Sequence, residues 1–452
     1  MFAMVGLMLI STGIARAQST LTFCAPEPSA GDTAVRQLGA NFIDETQVLP
    51  ASCDTAIAAC GACDVGGASC GRTCCGWGCG CNLGKPYSLF GKCCWTDRLG
   101  IKVGGWVQQG ITFNADDPAS HFNGPVALND QHARYQLNQA WIYLDRQAQT
   151  DGCGFALGGH LDLVYGTDWR FGINTGLEDR ITPTDQEYGF VMPQAYVDVA
   201  WNDLTVRMGH YAGLLSYEQV PSVLNFFYSH SYTMGYGEPL LVTGVNANYK
   251  VGDMLAVDAG FHRGWMRWED NNNSMDLMGG VTWTSCSQAT KIRFMMNYGP
   301  QDPGGEFDTF TYSLMLDQKI SEKFSYALQQ VTGVTDLGPT NADYYSFVNY
   351  FMYKINPCWT AGLRYEWFRD EDGTRVAGLG SIGRFGWNSP PGYAGDFNAI
   401  SAGLNWRPHA NIVVRPELRY DWFGGDVAAG LPFDDGASAK QWLLGTDVIV
   451  TF

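Results

Sequence analysis

Residues 411–423 read NIVVRPELRYDWF. Ile412, Val414, Pro416, Leu418, Tyr420 and Trp422 alternate with Arg415, Glu417, Arg419 and Asp421. Successive side chains of a β-strand point to opposite faces, so this stretch has one apolar face and one charged face. Such a strand separates two very different media. It is also long. Soluble strands average about five or six residues, whereas a strand that crosses a bilayer needs about 9–11.

The same alternation recurs along the chain from residue 101. Trp442, Leu444, Thr446, Val448, Val450 and Phe452 oppose Gly445, Asp447, Ile449 and Thr451. Trp359, Ala361, Leu363, Tyr365 and Trp367 oppose Thr360, Arg364 and Glu366. Leu255, Val257, Ala259 and Phe261 oppose Asp258 and His262, and Ile292, Phe294, Met296 and Tyr298 oppose Arg293 and Asn297. Residues 344–354 carry aromatics on both faces, which leaves their orientation open. Strands of this kind begin near residues 101, 134, 154, 190, 204, 239, 253, 275, 290, 307, 322, 342, 357, 396, 411 and 440, about sixteen in all, with a margin of about two because 167–189 and 370–395 have room for a further pair.

The connections alternate in length. Short turns fall at 202–203, 251–252, 285–288, 319–322, 356–357 and 407–410; long loops cover 114–133, 167–189, 213–238, 370–395 and 424–439. Short turns at one end and long loops at the other are the arrangement of a transmembrane antiparallel β-barrel, with both chain ends on the short-turn side. The physics agrees. An unpaired backbone group in hydrocarbon costs several kcal/mol, so only a closed sheet crosses a membrane as strands. Aromatics at the ends of the apolar faces (Trp201, Tyr298, Trp367, Trp406, Trp422 and Trp442) fit girdles at the two interfaces. The opposite faces carry Arg207, Asp258, Arg293, Arg364, Glu366, Arg415, Glu417, Arg419, Asp421 and Asp447, a wall for a wet lumen, since an arginine facing lipid at mid-depth costs about 2–4 kcal/mol. About sixteen strands enclose an aqueous channel rather than a side-chain-filled core.

Composition supports this all-β reading. The chain of 452 residues has 13% aromatic, 16% charged and 55 glycine residues. Its net charge of −17 argues against nucleic acid, whose phosphates need a basic face. The opening MFAMVGLMLISTGIARAQ, with an A-x-A site at 15–17, is expected to be a signal peptide (1–17), followed by a linker (18–52).

A different segment precedes the barrel. Ten of the 14 cysteines fall within 53–95: Cys53, Cys60, Cys63, Cys70, Cys74, Cys75, Cys79, Cys81, Cys93 and Cys94. No histidine accompanies them and their spacing fits no finger, so a metal site is not expected. An exported segment with almost no apolar core calls for disulfide staples, whose connectivity the sequence does not decide. The segment has three candidate roles: a periplasmic tether to the cell wall, a crosslink between neighbouring chains, or a plug in the lumen.

Residues 100–452 resemble the outer-membrane β-barrel porins of planctomycete-type bacteria. The likeness rests on the order of elements, the terminal strand ending in Phe452, and the loop GLLSYEQVPSVLNFFYSHSYTMGYGEP (213–239), above all its SVLNFFYSHSYT. The resemblance implies passive diffusion of small hydrophilic solutes, with no cofactor. It implies a third loop folded into the lumen, which nominates Tyr217, Glu218, Asn225, Tyr228, His230 and Tyr232 as the constriction. It implies that assembly machinery reads Phe452, that lipid surrounds the barrel, and that the protein is a homotrimer. Two other functions compete with a pore. One is a structural or adhesive envelope protein anchored by its barrel. The other is a barrel-borne hydrolase, for which His210 near Ser216 is the nearest thing to a catalytic pair.

Overall fold

A computed structural model describes residues 81–90, 94–183, 186–376, 392–426 and 430–452. The signal peptide, the linker and Cys53, Cys60, Cys63, Cys70, Cys74, Cys75, Cys79 and Cys93 lie outside the described residues.

A short helix, α1 (Cys94–Leu99), precedes the sheet. The strands are β1 (Lys102–Asn114), β2 (Tyr135–Arg146), β3 (Phe155–Gly166), β4 (Gly189–Val191 and Ala195–Trp201), β5 (Leu204–Ala212), β6 (Leu241–Lys250), β7 (Leu255–Trp265) and β8 (Asp276–Thr284). They continue as β9 (Thr290–Pro300), β10 (Asp308–Lys319), β11 (Phe324–Asp336), β12 (Asn341–Asn356), β13 (Trp359–Asp370), β14 (Gly395–His409), β15 (Ile412–Gly425) and β16 (Lys440–Thr451). The two pieces of β4 lie end to end along β3, where Val191 pairs with Val164 and Ala195 with Leu161. Pro193 stands in the gap and has no N–H for a ladder.

Each strand pairs antiparallel with the next, and β1 closes on β16 from Trp106↔Thr451 to Asn114↔Leu443. The result is a sixteen-stranded barrel without a free edge. Among the described residues, 167–183 and 371–376 contribute no further strand pair.

The alternation decides which side chain meets which medium. On β15, Leu418 is 45% exposed on the outer face, whereas Arg415, Arg419 and Asp421 are 2% or less exposed on the inner one. The outer aromatics form two rows. Trp201, Trp359 and Trp406 stand at the turn end, and Trp359 stacks on Trp406 across β13 and β14 at 5.7 Å. Tyr298, Trp367, Trp422 and Trp442 stand at the loop end, where Tyr420 lies 4.4 Å from Trp442.

The turn end also holds the N-terminal segment. Cys81 is disulfide-bonded to Cys358, in the β12–β13 turn. Ala410 N–H donates to Leu83 O at 2.8 Å, and Asn411 both accepts from Tyr87 N–H (2.7 Å) and donates to Tyr87 O (2.8 Å). The Phe90 ring lies 6.1 Å from that of Phe452. Residues 81–90 are thus strapped along the rim by the turns flanking β13, β14 and β15 and by the end of β16. Cys153, in the β2–β3 turn, is disulfide-bonded as well, and Cys286, in the β8–β9 turn, is a free and exposed thiol.

Phe452 completes the seam. It exchanges two backbone hydrogen bonds with Gly105, at 2.9 and 3.1 Å. Deleting Phe452 is expected to lower the amount of folded, heat-modifiable barrel in the outer membrane severalfold, and an unchanged amount on semi-native gels would refute its part in assembly. Cysteine labelling checks the strap. Without reductant a maleimide is expected to label Cys286 in the folded protein and spare Cys358; with reductant both should react.

Candidate functional site: the third loop inside the lumen

The third loop (213–240) turns into the barrel and is buried along nearly its whole length. Side chains of the wall reach its backbone from opposite sides. From β2, Gln139 donates to Val220 O (2.8 Å). From β11, Gln329 donates to Leu215 O (2.9 Å). From β13, Arg364 donates to Ser229 O (2.8 Å), and Glu366 accepts from the N–H groups of Tyr232 (2.8 Å) and Thr233 (2.7 Å). From β15, Arg415 donates to Asn225 O (2.7 Å), Glu417 accepts from Ser229 N–H (2.9 Å), and Arg419 donates to His230 O (2.6 Å). β2 and β11 are nearly opposite in a ring of sixteen strands, so the loop crosses the lumen instead of lining one side of it.

Local chemistry shapes the loop for this seat. Helix α2 (Tyr232–Tyr236) is capped by Ser231, whose side chain accepts from Met234 N–H. Its first amide groups have no intrahelical acceptor, and Glu366 takes two of them. Glycines let the rings sit against the wall. A Cβ on Gly362 would come within 2.2 Å of the Phe226 ring, and one on Gly110 within 2.6 Å of Tyr228. An apolar cluster forms from Leu215, Tyr217, Phe226 and Phe227 of the loop with Met295, Met315, Val348 and Tyr350 of the wall. This answers the ambiguity of residues 344–354. Tyr344, Val348 and Tyr350 face inward because the loop gives them apolar partners, while Tyr345, Phe347, Phe351 and Tyr353 face lipid.

Five of the six constriction residues expected from the sequence are anchors. Tyr217, Glu218, Tyr228, His230 and Tyr232 are 5% exposed or less. Tyr217 packs on Tyr350 at 4.6 Å, and Tyr228 donates to Asn138 at 3.1 Å. Tyr232 donates to Asp421 at 2.9 Å. Glu218 pairs with Arg364 at 2.7 Å and accepts from Ser231 N–H (2.8 Å) and the Tyr350 hydroxyl (3.0 Å). Asn225 is half-buried and borders a cavity of about 700 Å³ that lies between the loop and the turns. Val223 and Phe226 border it too, and the sequence did not single them out.

The charged wall departs from its expected role in a similar way. Arg364, Glu366, Arg415, Glu417, Arg419, Asp421 and Asp447 were expected to face water, yet each is 4% exposed or less. The loop covers them, and they pair among themselves or with it. Arg415 forms a two-pronged contact with Asp447, and Arg419 lies 2.8 Å from Asp421. Arg293 lies 3.8 Å from Asp317, Arg207 grips Asp198 with two bonds of 2.9 Å, and Asp258 accepts from Asn246 and Asn248 at 3.0 Å. Removing one partner of such a buried pair costs about 3–5 kcal/mol, which is why the set holds the loop firmly.

A stack of planar groups runs across β2 to β5 at one level, and the sequence alone did not reveal it. Tyr143, His160 and Tyr196 lie nearly parallel at 6.1 and 5.6 Å, and the Arg207 guanidinium sits 3.7 Å over Tyr196. Residue spacing within one strand says nothing about such alignment, because each member comes from a different strand. His210 bonds to the Thr243 hydroxyl (2.7 Å) and stacks on Trp268 (4.1 Å). Among the described residues, no group of three or more His, Cys, Asp or Glu side chains is arranged to hold a metal ion.

The loop's titratable groups make its attachment depend on pH. Burial alone would raise the Glu218 carboxyl, but the charges of Arg364 and His230 and the bonds from Ser231 and Tyr350 carry it below its ordinary value. Burial, with Arg364, Arg415 and Arg419 nearby, pushes His230 down to about 4, although Glu218 opposes this. For these two groups the unfolded or detached state binds more protons than the docked one, so their contribution to attachment weakens as pH falls. For His230 the window runs from 6.5 down to about 4, a difference on the order of 3 kcal/mol. Glu218 adds its share below 4.5. Glu238, which burial pushes well above its ordinary value, acts in the opposite sense. Single-channel conductance is expected to rise between pH 7 and pH 4, and His230→Gln is expected to remove most of that rise. A flat profile in the unmodified protein would refute the assignment.

Residues 100–452 match the family described as "Putative beta-barrel porin-2, OmpL-like". No curated protein sequence matches the chain. Several solved barrels share the fold. OprB of Pseudomonas putida aligns with a TM-score of 0.53 at 11% identity over 79% of this chain and 96% of its own. An anion-selective porin from Comamonas acidovorans aligns at 0.52 and 12% identity over 78% and 99%. The channel DcaP of Acinetobacter baumannii aligns at 0.50 and 13% identity over 78% and 97%.

Proposed function

The chain belongs to the OmpL-like family of β-barrel porins of the outer membrane, and from that premise we propose that the third loop sets the width of its channel. The channel is passive and carries small hydrophilic solutes and ions. The observation that carries the proposal is the anchoring of one loop from nearly opposite walls of a closed barrel, by Gln139 on one side and by Gln329, Arg364 and Glu366 on the other. A loop held in this way divides the lumen into compartments, and solute passes where side chains are not packed against it.

The remaining assignments are our reading as well. The short turns, the strapped segment and both chain ends face the periplasm, following the usual asymmetry of outer-membrane barrels. The cysteine-rich segment (53–95) serves as a tether to the cell wall, because its last described part is already fastened to the rim by Cys81–Cys358. The barrel assembles as a homotrimer through the machinery that reads its terminal strand. The likeness of loop 213–239 to planctomycete-type porins supports a source in a bacterium of that kind.

One observation favours the rival reading of an envelope protein with a barrel anchor. Ala127, Leu128, Met234, Leu240 and Leu241 pack together, so two loops and the start of β6 form one apolar cluster inside the loop-side mouth. Planar-bilayer recording separates the two. A channel is expected to give discrete, ohmic steps, and Glu366→Ala combined with Glu417→Ala is expected to raise their size about twofold by loosening the loop. A silent bilayer with correctly folded protein would favour the anchor.

A further inference from the structure

We propose that the cavity between the third loop and the turns is a binding site for small oxyanions of the phosphate class. The proposal rests on the porin reading only for the route by which such an ion arrives.

The cavity is roofed by Val223 and Phe226, and Lys319, Lys323, Lys354 and Arg407 border it against a single carboxylate, Glu322. These four cations come from one arc, β10 to β14 with its turns. Their state differs from that of the other inward arginines. Arg207, Arg293, Arg364, Arg415 and Arg419 each face a carboxylate. Among the described residues, Lys319, Lys323, Lys354 and Arg407 have no such partner.

Scarcity of acid does not explain this. The chain carries 45 acidic and 28 basic residues, so carboxylates are available in excess. Leaving four like charges unpaired in one concavity costs self-repulsion, and the resulting positive potential draws anions. Lys354 and Arg407 are half-buried, where a charge acts through a lower dielectric than at an open surface.

The sheet register converges the groups. Lys354 on β12 pairs with Thr360 on β13, and Thr360 pairs with Asn405 on β14, two residues before Arg407. Strands lie about 4.8 Å apart and residues rise about 3.4 Å along each, so the Lys354 and Arg407 backbones are about 12 Å apart with Thr360 between them. Two long cationic side chains span that gap to one tetrahedral ion. The guanidinium offers paired donors, the ammonium a point charge and the Thr360 hydroxyl a neutral donor, a set suited to phosphate oxygens and wasted on chloride.

Binding is tested on the full folded chain in detergent by calorimetric titration with inorganic phosphate, alongside Lys354→Gln, Arg407→Gln and, as a control at the turn end of β6, Lys250→Gln. Saturable phosphate binding is expected, weakened at least about tenfold by either cavity substitution and unaltered by the control. In bilayers, phosphate added to one side only is expected to reduce the chloride current, and Lys354→Gln with Arg407→Gln should relieve the block. Absent binding, or binding that all three variants leave unchanged, overturns the site. If potassium chloride steps persist in that case, the channel reading stands. A silent bilayer with intact phosphate binding sinks the channel reading and leaves the site.

Discussion

A strand in hydrocarbon has nowhere to put an unpaired N–H or C=O, and the architecture follows from satisfying that demand. β1 must find β16, across more than three hundred residues of chain, and it does so along nine paired positions from Trp106↔Thr451 to Asn114↔Leu443. Once the ring is closed, every side chain faces either lipid or the enclosed space. The period of two in Asn411 to Phe423 is the imprint of this division, and the charges on the inner face fix the register, since a slip of one residue would turn Arg415, Glu417, Arg419 and Asp421 into lipid.

Closure creates a second demand inside. A ring of sixteen strands is too wide for its own side chains to fill. Here the third loop enters, and it must satisfy its own backbone in the process. It does so with the wall's charges. Glu366 and Glu417 accept loop amides, and Arg364, Arg415 and Arg419 donate to loop carbonyls. The carboxylates and guanidiniums serve as hydrogen-bonding groups first and as charges second.

That exchange explains what the sequence could and could not reveal. The strands were legible because lipid imposes a strict alternation, and their number and approximate starts follow from it. The interrupted β4 was legible as one strand for the same reason. The fate of the inner charges was not. A charge facing water and a charge facing a loop amide occupy the same kind of strand position, and only the loop's path decides that Arg364 is fully buried. Residues 344–354 resisted assignment because an aromatic such as Tyr350 is at home on either face once Tyr217 packs against it. The bond between Cys81 and Cys358 was also beyond reach. A separation of 277 residues carries no local pattern, and Cys358 sits alone in its turn.

The net charge of −17 is a poor guide to the pore for a related reason. Glu218, Glu366, Glu417, Asp421 and Asp447 are cancelled by arginines or held by loop amides within a few ångströms, so little of their field reaches solvent. What a solute meets is the residue of that pairing, and in the turn-side cavity the residue is positive. A barrel that spends its carboxylates on holding a loop leaves the unpaired lysines to decide which ions gather beneath it. The local imbalance among Lys319, Lys323, Lys354 and Arg407 against Glu322 therefore outweighs the sign of the whole chain at that mouth. The excess acid elsewhere acts at longer range, where salt screens it beyond about 8–10 Å.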